Sequence, residues 1–212
     1  DPIGYYGESK VAAEKLCLSY DTEGLETNII RPKTFLGPER LGVFSLWFEA
    51  MYNGHRIFIL GNGNNEYQLL AVKDVVDAIY RALTKPVHGQ IYNIGAKTFQ
   101  TWRKDLEGII KEANSTSRVT GLPVTLSQIA LRTLETLKLS PLSAWHYMTM
   151  PVPSYVSTEK AEKELGWKAT QSNQELLTES YNWYKKNRNE ILNRKGDTHR
   201  VGWNFKILDL IS

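Results

Sequence analysis

A helix followed at once by a strand that a proline stops sets the terms for how this chain can fold. Residues 7 to about 22 read as the helix, and Gly24 ends it. Residues 26–31 (Glu-Thr-Asn-Ile-Ile-Arg) read as the strand, and Pro32 stops it. Residues 33–42 (Lys-Thr-Phe-Leu-Gly-Pro-Glu-Arg-Leu-Gly) then read as a loop at a strand's C-terminal end, where open α/β sheets place their ligands. The alternative for this loop is a plain connection. Further on, 56–60 and 67–72 read as two strands around the turn Asn62-Gly63-Asn64-Asn65, and 90–94 as a strand ending in Asn93-Ile94-Gly95.

Helical spacing predicts the remaining elements. Phe44, Trp47, Phe48 and Met51 mark a short apolar helix over 43–53, closed by Gly54. Asp74 caps a helix over 75–84, and Thr101 caps one over 101–114. In 125–139, Leu126, Ile129, Ala130, Leu134 and Leu137 share one stripe. Residues 140–150 form an aromatic loop, either a core plug or a pocket wall. Ser157 or Thr158 caps 159–165, stopped by Gly166, and a long polar helix runs from 173 to about 192.

The first helix carries a chemical pair, Tyr6 and Lys10, four residues apart and so on one face. A free phenol titrates near about 10, and bringing it to about 7 takes roughly 4 kcal/mol. One ammonium about 4 Å away, at an effective dielectric of about 20, supplies about that much. The pair is therefore sufficient for proton transfer to a hydroxyl or carbonyl. The spacing by itself equally fits an ordinary amphipathic helix start. With 11 Tyr in the chain a second match arises at Tyr181 and Lys185, which reads as a solvated face of a polar helix.

The order of segments narrows this. Tyr6-Gly7-Glu8-Ser9-Lys10, then Ile29-Ile30-Arg31-Pro32 with Gly37-Pro38, resembles the extended short-chain dehydrogenase/reductases, the NAD-dependent epimerase/dehydratase family. Val72-Lys73-Asp74-Val75, Tyr92-Asn93-Ile94-Gly95 and Lys160-Ala161-Glu162-Lys163-Glu164-Leu165-Gly166-Trp167 follow in the same order, so the resemblance runs from residue 1 to about 185. It implies an α/β fold: the C-terminal portion of a Rossmann-like doubly wound parallel sheet plus a small, mostly helical substrate-binding region. Residues 1–35 would belong to the core with the Tyr-x-x-x-Lys helix. Residues 36–185 would form the substrate-binding region, interleaved with a returning core strand (90–94) and helix (74–84). Residues 186–212 would be a polar helix end and tail.

The resemblance also implies NAD or NADP as cofactor. Tyr6 and Lys10 would be catalytic, and Tyr6, Lys10, Pro32, Thr34 and Phe35 would lie against the cofactor. Thr34, Arg40, Tyr67, Gln68 and His146 would face the substrate. In this family the phosphate-gripping glycines precede the tyrosine. No Gly-rich dinucleotide loop is found here: Gly4 and Gly7 lack a third partner, and Gly61-Asn62-Gly63 reads as a turn. The chain therefore resembles a C-terminal half, expected to be inactive by itself. A bare, apolar edge of strand 26–31 would then drive a homodimer or other homo-oligomer.

Composition excludes several classes. A net charge of +3 is too small to imply nucleic acid, and no apolar run reaches the about 18 residues of a membrane span. No basic stretch with an apolar core opens the chain, so no signal peptide is visible. The single Cys17, on an apolar helix face, reads as a buried small hydrophobe with neither a disulfide nor a metal role. A reducing cytoplasm fits.

The function implied is oxidoreductase chemistry on a secondary alcohol or ketone of a small molecule, with a nucleotide sugar as first choice. The family's diphosphate-holding arginine falls here at Glu66 or Tyr67, so Arg40, His55 or Arg56 would have to compensate. The long apolar stretch 122–150 resembles hydroxysteroid-dehydrogenase-like and reductase-like branches, which favours a less polar substrate as the alternative. A non-catalytic binding or assembly module is the remaining reading.

Overall fold

The computed structural model describes residues 2, 4–137 and 144–194. In chain order the elements are α1 (Gly4–Thr22), β1 (Asn28–Pro32), β2 (Thr34–Leu36), α2 (Phe44–Tyr52), β3 (Ile57–Leu60), β4 (Leu69–Ala71), α3 (Val72–Thr84), β5 (Gln90–Ile94), α4 (Trp102–Glu112), β6 (Val119–Leu122), α5 (Val124–Thr136), α6 (Ala144–Thr149) and α7 (Asn173–Asn193). A short π-helical turn, Ala161–Leu165, precedes α7 and ends at Gly166 in the left-handed conformation.

Among the described residues three two-stranded ladders form, all parallel. β1 pairs with β5 with Asn28 opposite Gln90, and β2 with β4 with Thr34 opposite Leu69. β3 pairs with β6 with Ile57 opposite Val119. Parallel neighbours need long crossovers, here supplied by helices. The α/β, Rossmann-like class expected from the sequence is therefore the one observed. Within the expected strands 56–60 and 67–72 the structure forms β3 and the shorter β4, which do not pair across their turn, and Val72 already belongs to α3. The expected loop 33–42 contains β2, too short to stand out by composition.

β4 divides the core. Successive strand residues face opposite ways, so Leu69 and Ala71 join one apolar cluster and Leu70 joins another. The first cluster packs α2, α4 and α7 through Phe48, Met51, Leu106, Ile109, Leu177 and Tyr184. The second packs α3 and β5 against Leu165 and Trp167. Asn173, at the start of α7, joins three segments. Its amide donates to the Tyr67 carbonyl and to Asp105, both at 2.7 Å, and accepts from the Leu69 N–H at 2.9 Å.

Several local expectations are corrected. Asp74 does not cap α3, which starts at Val72. Instead its carboxylate accepts from the Thr170 backbone N–H at 3.0 Å and hydroxyl at 2.7 Å, tying the helix to the segment before α7. Cys17 is exposed, because α1 buries no residue at all. Tyr181 is no solvated residue: it is 5% exposed and packs edge-on to Phe48 at 5.7 Å between ring centres. Part of the expected aromatic loop is helix α6. Residues 138–143 and the tail from 195 lie outside the described residues.

Candidate active site

Pro32 ends β1, and the chain passes through Lys33 into β2, so the 32–35 segment lies at the C-terminal end of a parallel strand. The Lys33 N–H donates to the Ile94 carbonyl at 2.9 Å, which carries the β1–β5 ladder one residue further. At this end opens a cleft of about 790 Å³. Its walls are mainly apolar, with Leu41, Phe44, Trp47, Trp102 and Met150 among them.

Eight of the nine residues expected at the site line this cleft: Tyr6, Lys10, Pro32, Thr34, Phe35, Arg40, Tyr67 and His146. Gln68 does not. It is buried, its amide donates to the Ala96 carbonyl at 2.8 Å, and its oxygen accepts from the Val156 N–H at 2.9 Å. Both its polar ends are committed to the backbone. Gly95 is required beside it, since a Cβ there would overlap the Gln68 amide.

Tyr6, Lys10 and Glu14 are successive i, i+4 positions on α1 and all reach the cleft. The Lys10 ammonium lies 5.4 Å from the Tyr6 ring centre, over the ring face. Glu14 forms an ion pair with Arg31 of β1. Arg31 is the main reason that the Glu14 carboxyl is held below the usual range. Sequence reasoning missed this pair, which ties α1 to β1 one turn beyond Lys10.

The inner polar groups are few. The Thr34 hydroxyl and the Tyr67 phenol lie 3.1 Å apart in a hydrogen bond that either can donate. Burial pushes the Tyr67 phenol up. The Arg40 guanidinium stacks over Phe35, 4.3 Å from the ring centre, and its buried Nε has no hydrogen-bond partner among the described residues. Lys33 was also missed. It lines the cleft and donates to the Ser154 hydroxyl at 2.5 Å, and burial lowers its ammonium below the ordinary lysine range. The signal for it was a lysine directly after Pro32, within the loop already expected to face ligands. His146 reaches the cleft from α6.

The donor set fits the nicotinamide–ribose end of a dinucleotide: an exposed phenol and an ammonium that forms no ion pair among the described residues, beside the strand end. A glycine-rich strand–turn–helix that would grip the pyrophosphate is not found among the described residues. Gly61 and Gly63, both with positive φ, form a turn between β3 and β4.

Residues 1–95 match the family described as "NAD dependent epimerase/dehydratase family". A curated relative, "Uncharacterized protein y4nG" of Sinorhizobium fredii, is 35% identical over 213 residues, covering 100% of this chain and 53% of that protein. The dTDP-D-glucose 4,6-dehydratase of Mus musculus is 29% identical over 192 residues, covering 88% of this chain and 49% of that protein. The chain thus spans about half the length of the curated relatives it matches. Among solved structures, the UDP-glucose 4-epimerase of Thermotoga maritima with UDP-glucose superimposes with a TM-score of 0.70 at 23% identity, covering 89% of this chain and 55% of that one. The dTDP-glucose 4,6-dehydratase of Bacillus anthracis in complex with NAD gives a TM-score of 0.64 at 22% identity, covering 89% and 54%. These likenesses are likenesses of fold. The likeness to the NAD-dependent epimerase/dehydratase family is thus carried by residues 1–95, the part of the chain that the family's pattern matches.

Proposed function

We propose that this chain carries the proton-handling pair and the substrate face of an NAD(P)-dependent enzyme acting at a secondary alcohol or ketone of a nucleotide sugar. One observation carries the reading: a single cleft at the end of a parallel strand collects Tyr6 and Lys10 with Pro32, Thr34, Phe35, Arg40, Tyr67 and His146. Tyr6 takes the proton of the reacting hydroxyl or returns it to the carbonyl. Lys10 stabilises the phenolate and reaches the cofactor ribose, and Pro32, Thr34 and Phe35 border the nicotinamide. When bound, that ring supplies the hydride acceptor or donor. Thr34, Tyr67 and His146 meet the sugar hydroxyls.

Arg40 takes the diphosphate. Glu66 and Tyr67 carry no positive charge, whereas Arg40 stands in the cleft with no ion-pair partner among the described residues and with its planar face already supported by Phe35. Relatives named for dTDP-glucose dehydration and UDP-glucose epimerisation support the substrate class. The apolar walls favour a second reading, a less polar alcohol, and a human relative named sterol-4-alpha-carboxylate 3-dehydrogenase, decarboxylating, is 34% identical over 77 residues. Among the described residues β1 pairs with β5 alone, and an edge of that kind supports a homodimer or other homo-oligomer.

The test is a calorimetric titration of the chain with NAD and with UDP-glucose, then turnover in the protein as isolated. Lys10→Ala is expected to weaken NAD binding about tenfold, the scale of one charge-assisted bond. Tyr6→Phe is expected to cut kcat by about 10²- to 10⁴-fold with KM nearly unchanged. NAD binding indifferent to Lys10, or turnover indifferent to Tyr6, sinks the reading. A non-catalytic module would show both.

A further inference from the structure

The cleft holds a cation that the reading above does not use. Lys33 is partly buried in a mainly apolar wall, and among the described residues its ammonium has one hydrogen bond, to the Ser154 hydroxyl at 2.5 Å. The Tyr67 ring centre is 5.8 Å away. Among the described residues no carboxylate pairs with it. The acid that shares the cleft, Glu14, is held by Arg31. An ammonium has three donors, so donor capacity for a ligand's acceptor remains.

Both ends of the Lys33–Ser154 contact are built into the fold. The Lys33 backbone is fixed by its bond to Ile94. Ser154 is fixed on both sides, its N–H donating to the Glu66 carbonyl at 2.9 Å and its carbonyl accepting from the Gln68 N–H at 3.0 Å. A half-desolvated cation held in one place without a counter-charge is costly unless something that binds supplies the charge.

Resting on the nucleotide-sugar reading, in which Arg40 takes the diphosphate, we propose that Lys33, oriented by Ser154, holds a second anionic group: a carboxylate on the sugar. The ligand class is then a nucleotide-linked sugar acid. Burial depresses the ammonium's titration, as expected where a cation waits for an anion in an apolar wall. A single ammonium with its other sides against a hydroxyl and a ring suits a one-point contact with a carboxylate. The flat, two-pronged guanidinium of Arg40 suits phosphate better.

The experiment compares UDP-glucuronic acid with UDP-glucose by calorimetry, and free glucuronate with glucose by thermal shift. It uses the wild-type chain, Lys33→Met and Ser154→Ala. The expected result is a preference for the acid of about tenfold or more, the scale of one charge-assisted hydrogen bond. Lys33→Met should abolish that preference and leave UDP-glucose affinity unchanged, while Ser154→Ala should reduce it. Equal binding of acid and neutral sugar, or a preference that survives in Lys33→Met, overturns the proposal. Lys33→Met weakening both nucleotide sugars alike overturns it too, since Lys33 would then serve the diphosphate. If the nucleotide moiety adds no affinity but glucuronate still outcompetes glucose through Lys33, the nucleotide reading fails and the carboxylate site stands. If no sugar ligand binds, both fail.

Discussion

Glu49, on α2, is a buried carboxylate that its neighbours keep ionised. Burial alone would raise its titration. Arg188 at 2.5 and 2.7 Å, the Tyr184 hydroxyl at 2.5 Å and the Asn53 amide at 2.9 Å outweigh that and hold it below the usual range. A folded-state value below the unfolded one adds stability that is complete above the unfolded value, about 4.3 for Glu. That stability is lost as pH falls through the folded value. Urea midpoints should therefore drop below about pH 5, and part of the drop should vanish in Glu49→Gln. Arg188→Met, which strands the carboxylate, should cost about 3 kcal/mol or more at pH 7. An acid limb identical in wild type and Glu49→Gln would remove this residue from the account. Legibility at this scale followed spacing. Tyr6 and Lys10 were visible because four residues make one helical face. Glu14–Arg31 and Glu49–Arg188 were not, because each joins two elements whose approach no local pattern states. Tyr181 was misjudged because the charges on the outer face of α7 hide the apolar positions on its inner face.

The elements themselves were easier to read where their ends carry chemistry. Ser172 and Glu175 form a capping box at the start of α7: the Ser172 hydroxyl oxygen accepts from the Glu175 N–H at 3.3 Å, and the Glu175 carboxylate accepts from the Ser172 N–H at 2.8 Å. Thr101 caps α4 through a longer bond, 3.4 Å from the Lys104 N–H. Ser172→Ala should cost about 1 kcal/mol in urea unfolding, and Thr101→Ala less. The reverse order would mean that α7 is held by its packing, not by its cap. The helices at 101–114 and 173–192 were legible within a residue or two. β2 was not, being three residues inside a loop rich in Gly and Pro. Nor was the pairing of β3 and β4 with distant partners: a parallel ladder leaves no turn signal, so a strand's neighbour cannot be read from the segment beside it.

On the scale of the molecule, the segment order made the parallel α/β class and the cleft at the strand end legible, but not which faces would stay uncovered. β1 pairs with β5 and with no other strand among the described residues. On α3, Val76, Ile79, Tyr80 and Leu83 are 63, 46, 65 and 79% exposed at positions i, i+3, i+4 and i+7, a complete helical stripe facing outward. α1 adds Val11, Leu16 and Tyr20. Burying a large apolar side chain is worth about 1.5–3 kcal/mol, so four on each of two copies gain about 12–24 kcal/mol before costs. Association costs about 4–15 kcal/mol, and the edge polar groups must also find partners. The balance is small and favourable, so the chain should self-associate reversibly with a micromolar constant, its sedimentation coefficient rising with concentration. Leu83→Glu with Ile79→Glu should return it to a monomer with an unchanged circular dichroism spectrum, because neither side chain belongs to a buried cluster. A wild-type chain that sediments as one monomeric species at high micromolar concentration would mean that these stripes stay in water at no net cost. The unpaired edge of β1 would then have to be protected by its own neighbours, with the Glu14–Arg31 pair beside it the first place to look.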